Sequence, residues 1–177
     1  SAILPLTSVL VIDPQLWWAT FYGGNCLDGP MSITNDASGN VFVTGYTDSP
    51  NFPVQNAGTF FQGTFGGFGG AFILKFDNAG NRLWATYYGG SGGERGNSIA
   101  ADGNGNVFVT GITASPNFPV QNSGTFFQPA NAGGFDDAFI LKFDNAGNRL
   151  WATYYGGSGT DEGNSIAADG SGNVFVT

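Results

Sequence analysis

Apolar positions along this chain come in short runs that alternate with polar ones. NVFVTGIT from Asn106, DAFILKFD from Asp137 and RLWATYYGG from Arg149 are rich in Val, Ile, Phe, Tyr and Trp. Each run is bounded by Gly, Asn and Asp, which is the pattern of strands between turns. No stretch of 10 or more residues carries a helical period with caps. In DAFILKFD, Phe139, Leu141 and Phe143 alternate with Ile140 and Lys142. Both faces of that strand are largely apolar, so both must be covered.

The runs repeat. LWATYYGG occurs at Leu83 and again at Leu150, 67 residues on, and WATFYGG begins at Trp18. Residues 71–110 and 138–177 match at all but four positions, namely Gly93/Thr160, Glu94/Asp161, Arg95/Glu162 and Asn104/Ser171. Each unit reads as four strands. In the middle copy these are A (NSIAAD from Asn97), B (NVFVTGIT), C (DAFILKFD) and D (RLWATYYGG). Asp/Asn/Gly turns join A to B and C to D, where Gly accepts positive φ and Asp bonds the backbone. A connection of roughly 25 residues joins B to C, from ASPNFPVQNSGTFFQ onward. Four antiparallel strands, apolar on both faces, predict a β-propeller blade in an all-β fold. Strand A, with Ser98, Ile99, Ala100 and Ala101, is small enough to be the innermost.

These motifs resemble a known family. GNSIAADGSGNVFVT, SPNFPVQN and DAFILKFDNAGNRLWATYYGG together are similar to the bacterial SBBP-type β-propeller repeat, and the resemblance runs from about Ser8 to Thr177. It implies a propeller in a secreted or cell-surface bacterial protein. It implies no particular activity and no set of catalytic or binding residues.

SVLVIDPQLWWATFYGG from Ser8 aligns with FILKFDNAGNRLWATYYGG from Phe72, so residues 7–13 are expected as a strand C and 16–22 as a strand D. The order is then CD-ABCD-ABCD-AB. It divides into a half-blade at 7–22, blades at 31–90 and 97–157, and a half-blade at 164–177. These add up to three blade equivalents, whereas closed rings take about four to eight. Two edges are expected to stay open: Val9, Leu10 and Val11 on strand C, and Val174, Phe175 and Val176 on strand B. The expected partner is a second copy, joined head to tail to complete a shared blade. Two copies would make a six-bladed ring, and a contact that does not close would make a fibre. A piece of a longer repeat array is the alternative reading.

Composition narrows the function. The net charge is −8, and the five cations, Lys75, Arg82, Arg95, Lys142 and Arg149, are scattered. Nucleic-acid binding and attachment to anionic membranes are disfavoured. The apolar start, SAILPLTSVLVI, has no basic flank and is too short to span a bilayer. The chain contains no histidine, which argues against zinc sites and histidine-assisted nucleophiles. Cys26 is the only cysteine, so it is a free thiol or pairs between chains.

The turn acids Asp36, Asp77, Asp102, Asp144 and Asp169 read as turn caps. The opposite face carries the long connections and the acids Asp28, Asp48, Glu94, Asp136, Asp137, Asp161 and Glu162. These seven are the candidate ligand-binding residues, for a glycan, a peptide or a cation. No cofactor is required, with calcium the one ion that the carboxylates leave open. Phe52, Phe60, Phe61, Phe118, Phe126 and Phe127 lie in the same connections, where the repeated NFPVQN and TFFQ favour packing against the blade. Trp84 and Trp151 are expected in the inter-blade core, and Trp17 stands where the other copies have Leu83 and Leu150. Catalysis would rest on paired carboxylates such as Asp161 and Glu162, as in glycoside hydrolysis. Neighbouring residues point apart, so the reading is non-enzymatic: a self-assembling structural or adhesive module, with glycan or ligand binding as the alternative.

Overall fold

The computed structural model describes residues 15–124 and 126–177. Among the described residues there are ten strands: β1 (Asp28–Asn35), β2 (Val41–Thr47), β3 (Gly70–Phe76), β4 (Arg82–Tyr88), β5 (Glu94–Ala101), β6 (Val107–Thr113), β7 (Asp137–Phe143), β8 (Arg149–Tyr155), β9 (Ile166–Ala168) and β10 (Val174–Val176). No helix occurs among the described residues. The strands form two four-stranded sheets, β1-β2-β3-β4 and β5-β6-β7-β8, and a two-stranded sheet of β9 and β10. Every pairing is antiparallel. These are two propeller blades and a half-blade, in an arrangement that is not closed.

Strand A begins earlier than the sequence pattern indicates. β5 starts at Glu94 rather than Asn97, with a bulge between Gly96 and Ser98, and β1 has the matching bulge between Pro30 and Ser32. The bulge offsets the alternation that marks a strand. Residues 16–22 have no ladder partner among the described residues, and strand C at 7–13, with Val9, Leu10 and Val11, lies outside them. The side chains at 18 and 22 nevertheless take strand-D places. Trp18 lies 5.5 Å from Phe76, and Tyr22 lies 5.2 Å from Phe52.

Among the described residues, five A–B and C–D turns share one construction. In each, one Asp oxygen accepts the main-chain N–H groups two and four residues on, and the other accepts the Asn side chain four residues on. The glycine before that Asn has φ between 76° and 90°, in the left-handed region. The carboxylates of Asp36, Asp77, Asp102, Asp144 and Asp169 are thus consumed by their own turns.

The blades pack through their outer strands. Trp84 stacks on Phe143 of the next blade at 5.8 Å, and Tyr88 sits against Phe118 and Phe143. The Tyr88 hydroxyl donates to Pro119 O and accepts from Arg149, whose guanidinium also reaches Pro119 O at 2.9 Å. Tyr22, Arg82 and Pro53 repeat this clamp one blade earlier. Burial, offset in part by Arg149, pushes the Tyr88 phenol well above its usual range. At the inner side, Ser32 Oγ accepts from Ile99 N and Ser98 Oγ from Ile166 N, both at 3.2 Å. Small strand-A residues allow that approach.

The long B–C connection covers the outer edge of its own blade. Gln55 exchanges main-chain bonds with Ala85, and Gln121 with Ala152. Phe52 and Phe118 are buried beneath it. The Tyr87 hydroxyl donates to Ser49 O and accepts from Phe52 N, and Tyr154 does the same with Ser115 and Phe118. Pairing the edge in this way removes an aggregation hazard.

Two outcomes are expected. Tyr154→Phe leaves Phe118 N and Ser115 O without a partner in a buried place, so urea denaturation should show a loss of about 1–3 kcal/mol. The turns give an acid limb. Side-chain donation from Asn81 and Asn173, followed by main-chain donors, holds Asp77 and Asp169 below the usual carboxylate range. A depressed folded value gives stability that is present above the unfolded value and lost as pH falls through the folded one. Asn81→Ala and Asn173→Ala should therefore be less stable than wild type near neutrality. That difference should vanish at strongly acidic pH in a pH series of urea midpoints.

Candidate functional site

The seven candidate acids fall into three settings. Asp28, Glu94 and Asp161 occupy the same place in successive D–A connections. Asp28 accepts from Gly24 N at 2.7 Å, from Ser49 Oγ at 3.0 Å and from the Thr47 hydroxyl. Glu94 accepts from Thr113 Oγ1 at 3.0 Å and from Ser115 Oγ. These carboxylates tie each connection to the end of strand B. Glu94 is the first residue of β5 and is buried, so it is not an exposed loop acid. Burial pushes its carboxyl up, and the Ser115 and Thr113 hydroxyls partly offset the rise.

Asp48 and Asp136 face a cleft between the two blades, on the side of the long connections. The cleft has a volume of about 340 Å³ and is lined by Tyr46, Asp48, Phe68, Glu94, Arg95 and Asp136. The topology thus gathers Asp48, Glu94 and Asp136, which are far apart in sequence. Phe68 is 93% exposed, in a glycine-rich part of the first B–C connection. Its setting among glycines in GTFGGFGG is the signal the sequence holds for it, whereas nothing local sets Arg95 apart from the other four cations.

Asp137 and Asp161 meet in the second blade. Asp137 opens β7 and is fully buried, with Oδ2 accepting from Ala132 N at 2.7 Å. Its Oδ1 has no hydrogen-bond partner. Burial raises the Asp137 carboxyl, and the charges of Asp161 and Asp136 raise it further. Asp161 accepts from Gly157 N at 2.8 Å, and its own N–H donates to Asp136 O at 2.9 Å. Glu162 is exposed. Among the described residues, no three His, Cys, Asp or Glu side chains converge as a metal cluster.

The loop aromatics divide according to what covers them. Phe60 packs on Tyr88 at 4.8 Å and is closed over by Phe143 of the next blade. Phe126 packs on Tyr155 at 5.3 Å, but Phe126 is 57% and Tyr155 55% exposed. They border a cavity of about 810 Å³ with Ile140, Asp161, Glu162 and Val176. Trp151, expected in the inter-blade core, lines an adjoining hollow with Ile140 and Tyr155. On the other side of the molecule Leu16, Trp17 and Phe21 are exposed, Phe21 completely. Cys26 is an exposed free thiol.

The SBBP β-propeller repeat family matches this chain at residues 83–119 and 150–177. Two curated proteins are also similar. "Uncharacterized WD repeat-containing protein L264" of Acanthamoeba polyphaga mimivirus is 28% identical over 169 residues, covering 94% of this chain and 11% of that protein. "Regulatory protein FlaEY" of Caulobacter vibrioides is 27% identical over 149 residues, covering 84% of this chain and 14% of that protein. The chain spans less than a sixth of the length of either relative. Residues 83–119 and 150–177 thus match the SBBP β-propeller repeat, within a chain that folds as β-propeller blades.

Proposed function

We propose that this chain is a non-catalytic scaffold module that self-associates head to tail, with a structural or adhesive role outside the cell or at its surface. The free face of the second blade receives residues 15–22 of a second copy, and β10 pairs with that copy's strand C. The exposed Tyr155, with the half-buried Trp151 and Ile140 beside it on β7 and β8, carries this reading. Trp84 and Tyr88 occupy the same positions in the first blade, and there the neighbouring blade buries both.

The proposed occupant is exposed in a complementary way. Phe21 and Leu16 align with Tyr87 and Arg82. Tyr87 packs in one cluster with Trp18 and Tyr22 of the preceding segment, and Arg82 reaches Tyr22. Phe21 and Leu16 therefore stand where a preceding blade docks. Neither carries the hydroxyl or guanidinium with which Tyr87 and Arg82 hold the B–C connection. A blade assembled from β9, β10 and this segment needs no such connection. β10 also leaves Phe175 63% exposed. Such a contact is heterologous and closes into a ring or extends as a fibre, according to its rotation.

A second reading, ligand binding on the long-connection face, is favoured by the cleft around Asp48, Glu94, Arg95 and Asp136. An aromatic rim over mixed charge suits a polar ligand such as a glycan or a peptide with a basic group.

Light scattering over a dilution series tests the first reading. Species of at least twice the 18.4 kDa chain mass are expected. Phe21→Asp leaves the fold intact because the ring touches nothing, and it should weaken association about 10- to 100-fold, as expected for losing a buried Phe. A monomer at every concentration, or an unchanged Phe21→Asp, overturns self-association. Glycan-array binding that falls on substituting Asp48 and Asp136 would then support the second reading.

A further inference from the structure

We propose that Asp137 and Asp161 form a site for a divalent cation of the calcium type, at the start of β7 in the second blade. Asp137 is entirely buried and its Oδ1 has no partner. An unpaired carboxylate oxygen inside a protein is costly, and a second carboxylate beside it adds repulsion. Here the second carboxylate is Asp161. The two converge over Gly156, where an added Cβ would lie 2.5 Å from Asp137 Oδ1 and 2.9 Å from Asp161 Oδ2. The missing side chain leaves the space between the two oxygens clear.

Other contacts hold the pair in place. Asp161 N donates to Asp136 O, which fixes the connection against the start of β7, and Ala132 N holds the other oxygen of Asp137. Asp161 also lines the cavity of about 810 Å³, so an ion has a path from solvent. A hard cation takes carboxylate and carbonyl oxygens together with water, so two acids and solvent suffice for a site of modest affinity.

The first blade is an internal control. Gly70 stands in the place of Asp137 and Glu94 in that of Asp161. Glu94 spends one oxygen on Thr113 and Ser115, and its other oxygen, also buried without a partner, occupies the space over Gly89, which corresponds to Gly156. One carboxylate thus fills the place where the second blade has two. Because the repeats are otherwise nearly identical, the two differences together create the paired acids.

The test is calorimetric titration of the whole chain with calcium chloride after chelator treatment, together with terbium luminescence sensitised by the nearby tyrosines. Asp137→Gly copies the first blade, so the fold should tolerate it, and circular dichroism would check this. One saturable equivalent per chain is expected in wild type, with dissociation at about 0.1–1 mM. Asp137→Gly should weaken it at least tenfold, and Asp161→Glu should also weaken it. Absence of binding at millimolar calcium overturns the proposal, as does binding of equal strength in Asp137→Gly. Titrating Phe21→Asp alongside wild type separates this result from self-association, because that variant keeps both acids.

Discussion

The two blades hold together because Tyr88, on the outer strand of the first, is buried in the second. Tyr88 lies under Phe118 and Phe143, and its hydroxyl would be stranded there without Arg149 and Pro119 O. Arg149 in turn bonds Gln121 of the connection lying over its own strand. One clamp therefore couples the stacking of blades to the seating of the long connection. Tyr22 and Arg82 form the same clamp one unit earlier. The repeat is cooperative for this reason: Tyr88 is buried where the second blade packs on it, whereas Tyr155 at the matching position is 55% exposed.

Carboxylates do different work on the two faces. In the tight turns each Asp takes three donors within five residues, and only Asp102 among these five adds an ion pair outside its turn, with Lys142 of β7. In the D–A connections the acid reaches across to hydroxyls at the end of strand B, so its bonding depends on the rest of the blade. Asp28 and Glu94 find those hydroxyls, whereas Asp161 has Gly157 N and the company of Asp137. Copies that are almost identical in sequence thus differ most in charge at the one connection where bonding is least local.

Much of this was legible in the chain. Short apolar runs and Asp/Gly/Asn turns mark the strands, because each depends on contacts only a few residues apart, and the 67-residue spacing groups them into blades. The start of β5 was misplaced by three residues, since a bulge breaks the alternation that marks a strand. The acids were identified by type but not by role. Glu94 reads as a loop acid and is a buried strand residue, and Asp48 joins Asp136 only because two blades stack.

The sequence by itself determined the strands, the turns, their order and the all-β class, since hydrogen bonding and hydrophobic alternation are local properties. Only the tertiary structure decided which aromatic rings are covered and which acids meet. Phe60 and Phe126 belong to the same TFFQ motif, yet one is half-buried against Phe143 and the other is exposed. Burial and electrostatic pairing depend on what stands opposite a residue, and a repeat cannot record that in its own letters.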